Sequence, residues 1–168
     1  MNLNSLKDVY VGQLKDVYSA EKQLTEALPK MARAASDQKL REAFENHLAE
    51  TENHMQAVRT ILDELAENPT STKCKAMEGL IEEGNEIVQN GGDSDARDAA
   101  LIVAAQKVEH YEIATYGSLR TFADSLGYDE AAQVLQSILN QEYAADQRLD
   151  DIAMGAYSRT GLNAAAKN

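Results

Sequence analysis

Residues 119–130, Leu119-Arg120-Thr121-Phe122-Ala123-Asp124-Ser125-Leu126-Gly127-Tyr128-Asp129-Glu130, contain the end of one helix and the start of another. Gly127 stops the first, because glycine takes the left-handed conformation that closes a helix at no steric cost. Asp129 is the expected cap of the second, because its carboxylate accepts from first-turn amides. Upstream, Leu101, Ala105, Val108, Glu112, Tyr116, Leu119 and Phe122 recur in steps of three and four, which predicts a helix from Ser94 or Asp95 to about Leu126. Downstream, Leu135, Leu139, Glu142, Asp146, Leu149 and Ile152 predict a helix over roughly Glu130 to Ala156. A turn this short folds the two back on each other as an antiparallel hairpin.

The first third of the chain repeats the arrangement. Tyr10, Leu14, Val17, Glu21, Leu24, Leu28 and Met31 mark a helix from about Ser5 to Ala35, with Pro29 inside it as an expected bend or loosened turn. Ser36-Asp37 caps a second helix, roughly Asp37 to Glu67. Its inner face reads Leu40, Phe44, His47, Glu50 or Thr51, His54, Val58, Ile61 and Leu65. Asn68-Pro69-Thr70-Ser71-Thr72 breaks the chain, and Met77, Leu80, Ile81, Gly84, Ile87 and Val88 form a short amphipathic helix before Gly91-Gly92-Asp93. The expected fold class is all-α. Two antiparallel helical hairpins form a four-helix bundle over residues 1–156, with a fifth helix in a crossover at about 68–94. Residues 157–168 are expected to fray. Two hairpins joined by one long crossover are the ferritin-like arrangement.

Composition agrees. The chain has 168 residues, with nine glycines, two prolines, seven tyrosines, two phenylalanines and no tryptophan. Its formal charge of −12 argues against nucleic-acid binding, which needs a basic surface. The single cysteine, Cys74, excludes an internal disulfide and any multi-cysteine zinc site, and fits a reducing compartment. Cys74 reads either as a thiol activated by Lys73 and Lys75 or, better, as a small packing residue. The longest apolar run, Ala99 to Ala105, is far short of the roughly 20 residues that span a bilayer. Met1-Asn2-Leu3-Asn4-Ser5 shows no signal peptide. The expectation is a cytoplasmic protein with no membrane partner.

The two hairpins also look like a diverged repeat. The shift that lays Leu28-Pro29-Lys30-Met31-Ala32 over Leu119-Arg120-Thr121-Phe122-Ala123 carries Glu21 onto Glu112. With one inserted residue it carries Glu50 onto Glu142 and His54 onto Asp146. Glu21 and Glu50 are equally far from the Ser36 turn, and Glu112 and Glu142 from Gly127, so each pair is expected to face across its hairpin at one level. Several ionised carboxylates cannot share a low-dielectric core uncompensated: they take up protons or share cations. Two divalent ions would balance about four carboxylates, and oxygen-plus-imidazole donors suit iron first, with manganese or zinc as alternatives. Ferritin-like di-metal sites take one Glu from each of two helices and Glu-x-x-His from each of the other two. Here Glu21 and Glu112 supply the single acids, and the paired motifs are Glu50-x-x-x-His54 and Glu142-x-x-x-Asp146. Glu109 is an extra ligand or a partner for His47. His47 itself is a ligand or a buried imidazole bonded to an acid. Tyr18 reads as a hydrogen-bond partner of a ligand or as a core tyrosine.

Ser19-Ala20-Glu21-Lys22-Gln23-Leu24, His47-Leu48-Ala49-Glu50-Thr51, Cys74-Lys75-Ala76-Met77-Glu78-Gly79-Leu80-Ile81-Glu82-Glu83 and Lys107-Val108-Glu109-His110-Tyr111-Glu112-Ile113-Ala114 stand in this order. Together they resemble the YciF/YciE family of bacterial ferritin-like stress proteins, over about Leu6 to Ile152. The resemblance implies a ferritin-like bundle, a di-metal site, a homodimer and a stress-associated role. It places the family's inward acids on Glu21, Glu50, Glu109, Glu112, Glu142 and Asp146, makes His47 part of the family motif, and leaves His54 particular to this chain. Two functions follow as expectations: redox reaction of the metal pair with a small oxidant such as oxygen or peroxide, or a non-catalytic interaction role with a structural or empty site. Iron storage, which needs a closed shell of subunits, ranks last.

Overall fold

A computed structural model describes residues 3–155 and 161–167. Helix α1 spans Leu6–Ala34, α2 Gln38–Glu64, α3 Lys75–Gln89, α4 Ser94–Leu126 and α5 Asp129–Met154, with a 3-10 turn at Pro69–Ser71 and a last short helix α6 at Leu162–Ala165. α1 packs on α2 and α4 on α5 as the two hairpins, with α3 laid along α1 and α4 in the crossover. No strand occurs among the described residues. The fold is the expected ferritin-like bundle.

The helix ends follow from local chemistry. Ser5 accepts from the Asp8 amide at 3.1 Å and Asp37 from the Leu40 amide at 2.9 Å. Asp93, one residue before the expected cap, holds the amides of Asp95 and Ala96 at 3.0 and 2.9 Å. Gly127 sits at φ 76°, and the Tyr128 amide returns to the Ala123 carbonyl at 3.0 Å, a Schellman closure. Tyr128 occupies the cap position of α5 with no side-chain hydrogen bond, so Asp129 acts in the first turn through its charge rather than as the cap. α1 runs unbroken through Pro29.

One tertiary contact fixes the end of the bundle. Asp98, fully buried on α4, accepts from the Ser36 amide with both oxygens (2.9 and 3.0 Å) and from the Asp37 amide at 2.7 Å. An acid from the second hairpin therefore satisfies the amides of the α1–α2 turn. At the crossover, Ser19 Oγ accepts from the Cys74 amide at 2.9 Å and Gln23 donates to the Cys74 carbonyl at 3.0 Å, which ties the start of α3 to α1.

The tail was expected to fray. Residues 156–160 and 168 lie outside the described residues. Within the rest, α6 packs against α4 and α5, and Leu162 is buried in the core.

The core is divided. Leu24, Leu28, Leu40, Phe44, Leu101, Val108 and Leu149 belong to one apolar cluster. Leu14, Val17, Val58, Leu62, Tyr116, Leu119 and Leu139 belong to the other. Along every long helix the switch between clusters falls on buried polar residues: Glu21 on α1, His47, Thr51 and His54 on α2, Glu109 and Glu112 on α4, and Glu142 on α5. The bundle thus carries a polar belt at mid-height between two hydrophobic halves.

Candidate metal centre

The belt residues converge because each replaces an apolar residue in an inward stripe, so helical periodicity aims it at the bundle axis. Glu21, Glu112 and Glu142 have no solvent exposure, and His54 and Glu109 are nearly as deep. Two groups of side chains bring one donor atom each to within 4.8 Å of one another. The first is His47, Glu109, Glu112 and Glu142; the second is Glu21, His54 and Glu142. Glu142 belongs to both.

Distances are short throughout. His54 Nδ1 lies 2.9 Å from Glu142 Oε1 and 3.8 Å from Glu21 Oε1. His47 Nε2 lies 3.3 Å from Glu109 Oε1 and 4.0 Å from Glu112 Oε2. Yet few of these contacts have hydrogen-bond direction. Glu21 Oε2, Glu109 Oε2, His54 Nδ1, both nitrogens of His47 and both oxygens of Glu112 and of Glu142 are buried without a hydrogen-bond partner. Buried polar atoms are normally paired, since each orphan costs about 1–3 kcal/mol. So many unpaired donor atoms in one place could hold a ligand that accepts electron pairs.

The electrostatics point the same way. Burial, then the charge of Glu142, raises the Glu21 carboxyl to about 8, against the opposing pull of His54 and Tyr116. Burial followed by Glu142 also holds Glu109 and Glu112 well above the ordinary carboxylate range. For His54, burial favours the neutral ring, but the contact with Glu142 and the charge of Glu21 outweigh it and raise the imidazole to about 9. The four belt carboxylates would be balanced by two divalent cations, and imidazole with carboxylate suits iron, manganese or zinc. The donor set fits such ions.

The remaining expected residues lie at the margin. Glu50 is partly exposed, with Oε2 at 3.6 Å from His47 Nδ1, and this contact with His47 lowers its carboxyl. The inward position between His47 and His54 is Thr51, which is fully buried with an unpartnered Oγ1. Asp146 is also partly exposed, 3.4 Å from His110 Nε2 and 3.4 Å from Gln106. Neither Glu50 nor Asp146 enters the two groups. Tyr18 packs in the core with no hydrogen bond to the belt among the described residues. Cys74 is buried at the start of α3, against the Tyr111 hydroxyl at 3.1 Å, and burial pushes its thiol up, which suits packing rather than reactivity.

Two supporting residues are absent from the expected set. Tyr116, fully buried, donates its hydroxyl to Glu21 Oε1. Gln141 Oε1 lies 3.0 Å from His54 Nε2, which orients the ring so that Nδ1 faces the carboxylates. Tyr116 stands one helical turn after Glu112 in the same seam, a signal the sequence does carry.

Three comparisons bear on this site. A family model for a domain of unknown function, DUF892, matches residues 5–161. Protein YciF of Escherichia coli K12 is 47% identical over 170 residues, covering 98% of this chain and all of that protein. The crystal structure of the E. coli stress protein YciF superposes with a TM-score of 0.87 at 49% identity, over 90% of this chain and 96% of that one. YcfI of Rhodopseudomonas palustris superposes with a TM-score of 0.86 at 37% identity, over 90% and 97%. From its matched family model, its near full-length relative and its bundle, this chain belongs to the YciF-like family of ferritin-like stress proteins that carries the DUF892 domain.

Proposed function

We propose that the belt is a di-metal centre, with iron the first choice and manganese the second, in a cytoplasmic, homodimeric stress protein. Glu21, His54 and Glu142 would hold one ion, and His47, Glu109, Glu112 and Glu142 the other. The observation that carries this reading is the set of orphaned donor atoms in two adjoining groups that share Glu142. A bound pair of iron or manganese ions supplies one-electron redox chemistry toward a small oxidant such as oxygen or peroxide.

The protein's own contribution is positioning and exclusion of water. The apolar clusters above and below the belt isolate it from solvent. Tyr116 and Gln141 fix Glu21 and His54. Glu50 faces His47 Nδ1 at 3.6 Å, which leaves Nε2 turned toward Glu109 and Glu112.

One observation favours a second reading, a non-catalytic protein whose belt is empty or structural. Glu21, Glu109 and Glu112 hold protons more firmly than free carboxyls, so the belt has a way to discharge itself without metal. Elemental analysis of protein purified without added metal decides between them, paired with Glu142→Ala. The di-metal reading expects about two ions per chain, falling below about one in the variant, with turnover of peroxide or ferrous ion. Metal-free wild type that also fails to bind added manganese or ferrous ion overturns it. Metal without turnover leaves the structural reading.

A further inference from the structure

We propose that the groove where α1, α3 and the start of α4 meet binds a small phosphate-bearing anion. The groove is a shallow depression of about 640 Å³, open to solvent, and is lined by Lys30 and Arg33 of α1, Asn85, Val88 and Gln89 of α3, and Arg97 of α4. No carboxylate lines it, although acids outnumber bases by 28 to 16 in this chain.

The three cations are unspent. Lys15, Lys39, Lys73, Lys107, Arg59 and Arg120 each lie within 4.0 Å of a carboxylate. Among the described residues, Lys30, Arg33 and Arg97 make no such pair; nor do Lys7, Lys22, Lys75, Arg41 and Arg148, but these do not line this groove. Arg97 donates one nitrogen to Ser36 Oγ at 2.9 Å, while its Nε is buried without a partner. The neighbouring carboxylates are occupied: Asp98 by the amides of Ser36 and Asp37, and Asp93 by those of Asp95 and Ala96.

A simpler account covers only part of this. α1 and α3 both end here, and Arg33 in the last turn of α1 offsets the negative end of its dipole. That leaves the buried Nε of Arg97 without a partner. Two guanidinium groups and an ammonium around one groove match the charge and forked geometry of a phosphate group, and Asn85 and Gln89 add neutral donors. The patch is confined to three cations on a chain of net charge −12, which suits a small anion rather than a nucleic-acid backbone. The inference is independent of the metal centre.

The test is calorimetric titration of the full chain with tripolyphosphate, and separately with ATP, at fixed ionic strength in chloride buffer. One-to-one binding is expected, weakened at least about tenfold in Lys30→Gln/Arg33→Gln, where up to two charge-assisted hydrogen bonds are lost. Lys73→Gln/Lys107→Gln, at lysines paired elsewhere, should bind as wild type. Equal binding of both probes makes the phosphates the whole ligand, and tighter ATP adds a nucleoside contact at Val88. Stripping of metal by either probe would not distinguish the two double variants, so it cannot imitate the result. The proposal is overturned if wild type binds neither probe at about 10 mM, or if Lys30→Gln/Arg33→Gln binds like wild type.

Discussion

Tyr116 hydrogen-bonds Glu21 from across the bundle, α4 to α1, with both residues fully buried. The same ring stands edge-on to His54, with centroids 6.2 Å apart. One hydroxyl therefore sets the carboxylate of one proposed ligand while its ring packs against another. Tyr116→Phe keeps the ring and removes the donor, leaving Glu21 Oε1 unpaired. Metal-free Tyr116→Phe should be less stable by about 1–3 kcal/mol in urea unfolding. An unchanged midpoint would show that this hydrogen bond contributes nothing.

The belt carries a pH signature in metal-free protein. Glu21 moves from an ordinary value of 4.5 to about 8 on folding, and Glu109 and Glu112 also rise. A group raised by folding contributes stability that is complete below its unfolded value and is lost as pH climbs through the folded one. His54, raised from 6.5 to about 9, has the same sign. Thermal melts in chelator should therefore show stability falling between about pH 5 and pH 9, and excess manganese should flatten the fall. A rise across that window contradicts the assignment.

Glu112→Gln separates stability from binding. It removes one buried acid from a crowd dominated by like charges, so the metal-free variant should melt higher than wild type at about pH 8. Its manganese affinity should fall, because the group around His47 loses a carboxylate. A variant less stable than wild type without metal would mean that Glu112 is held protonated as a hydrogen-bond donor rather than crowded as a charge.

Among the described residues Asp98 is the buried acid outside the belt, and its role is architectural. Asp98→Ala strands the amides of Ser36 and Asp37 and should cost about 1–3 kcal/mol or more. Asp98→Asn should recover part of the loss. Hydrogen exchange read at Ser36 and Asp37 should accelerate in the alanine variant before it does at the middle of α2. Uniform acceleration would instead indicate general destabilisation.

The four long helices, the crossover and the level of the belt were legible because period and punctuation agree: three-and-four spacing, a glycine stop, an acid or serine cap. The inward acids were legible because they interrupt that spacing. What periodicity could not separate was Glu50 from Thr51. Steps of 47, 50, 54 and of 47, 51, 54 both lie on a helical stripe, and only packing turns Thr51 inward and Glu50 to the margin. Tyr116 was legible as an inward residue one turn after Glu112, but its role was not, because a tyrosine in an apolar seam reads as core until its hydroxyl finds a partner. Asp98 was hidden because the amides it satisfies lie in a turn some sixty residues earlier in the chain, which no local pattern reports. The buried Leu162 of α6 followed a glycine and preceded a run of alanines, too little apolar periodicity to suggest docking.

Glu142 stands in both donor groups, and it lies on α5, the last long helix of the chain. The first hairpin holds the two imidazoles of the belt but only one of its carboxylates. A polypeptide emerging from the ribosome therefore completes neither donor group until α5 has been made. Under the proposed di-metal reading, capture of ions would be postponed to the moment when the two hairpins close on each other, and a half-assembled chain would have little with which to retain a reactive metal.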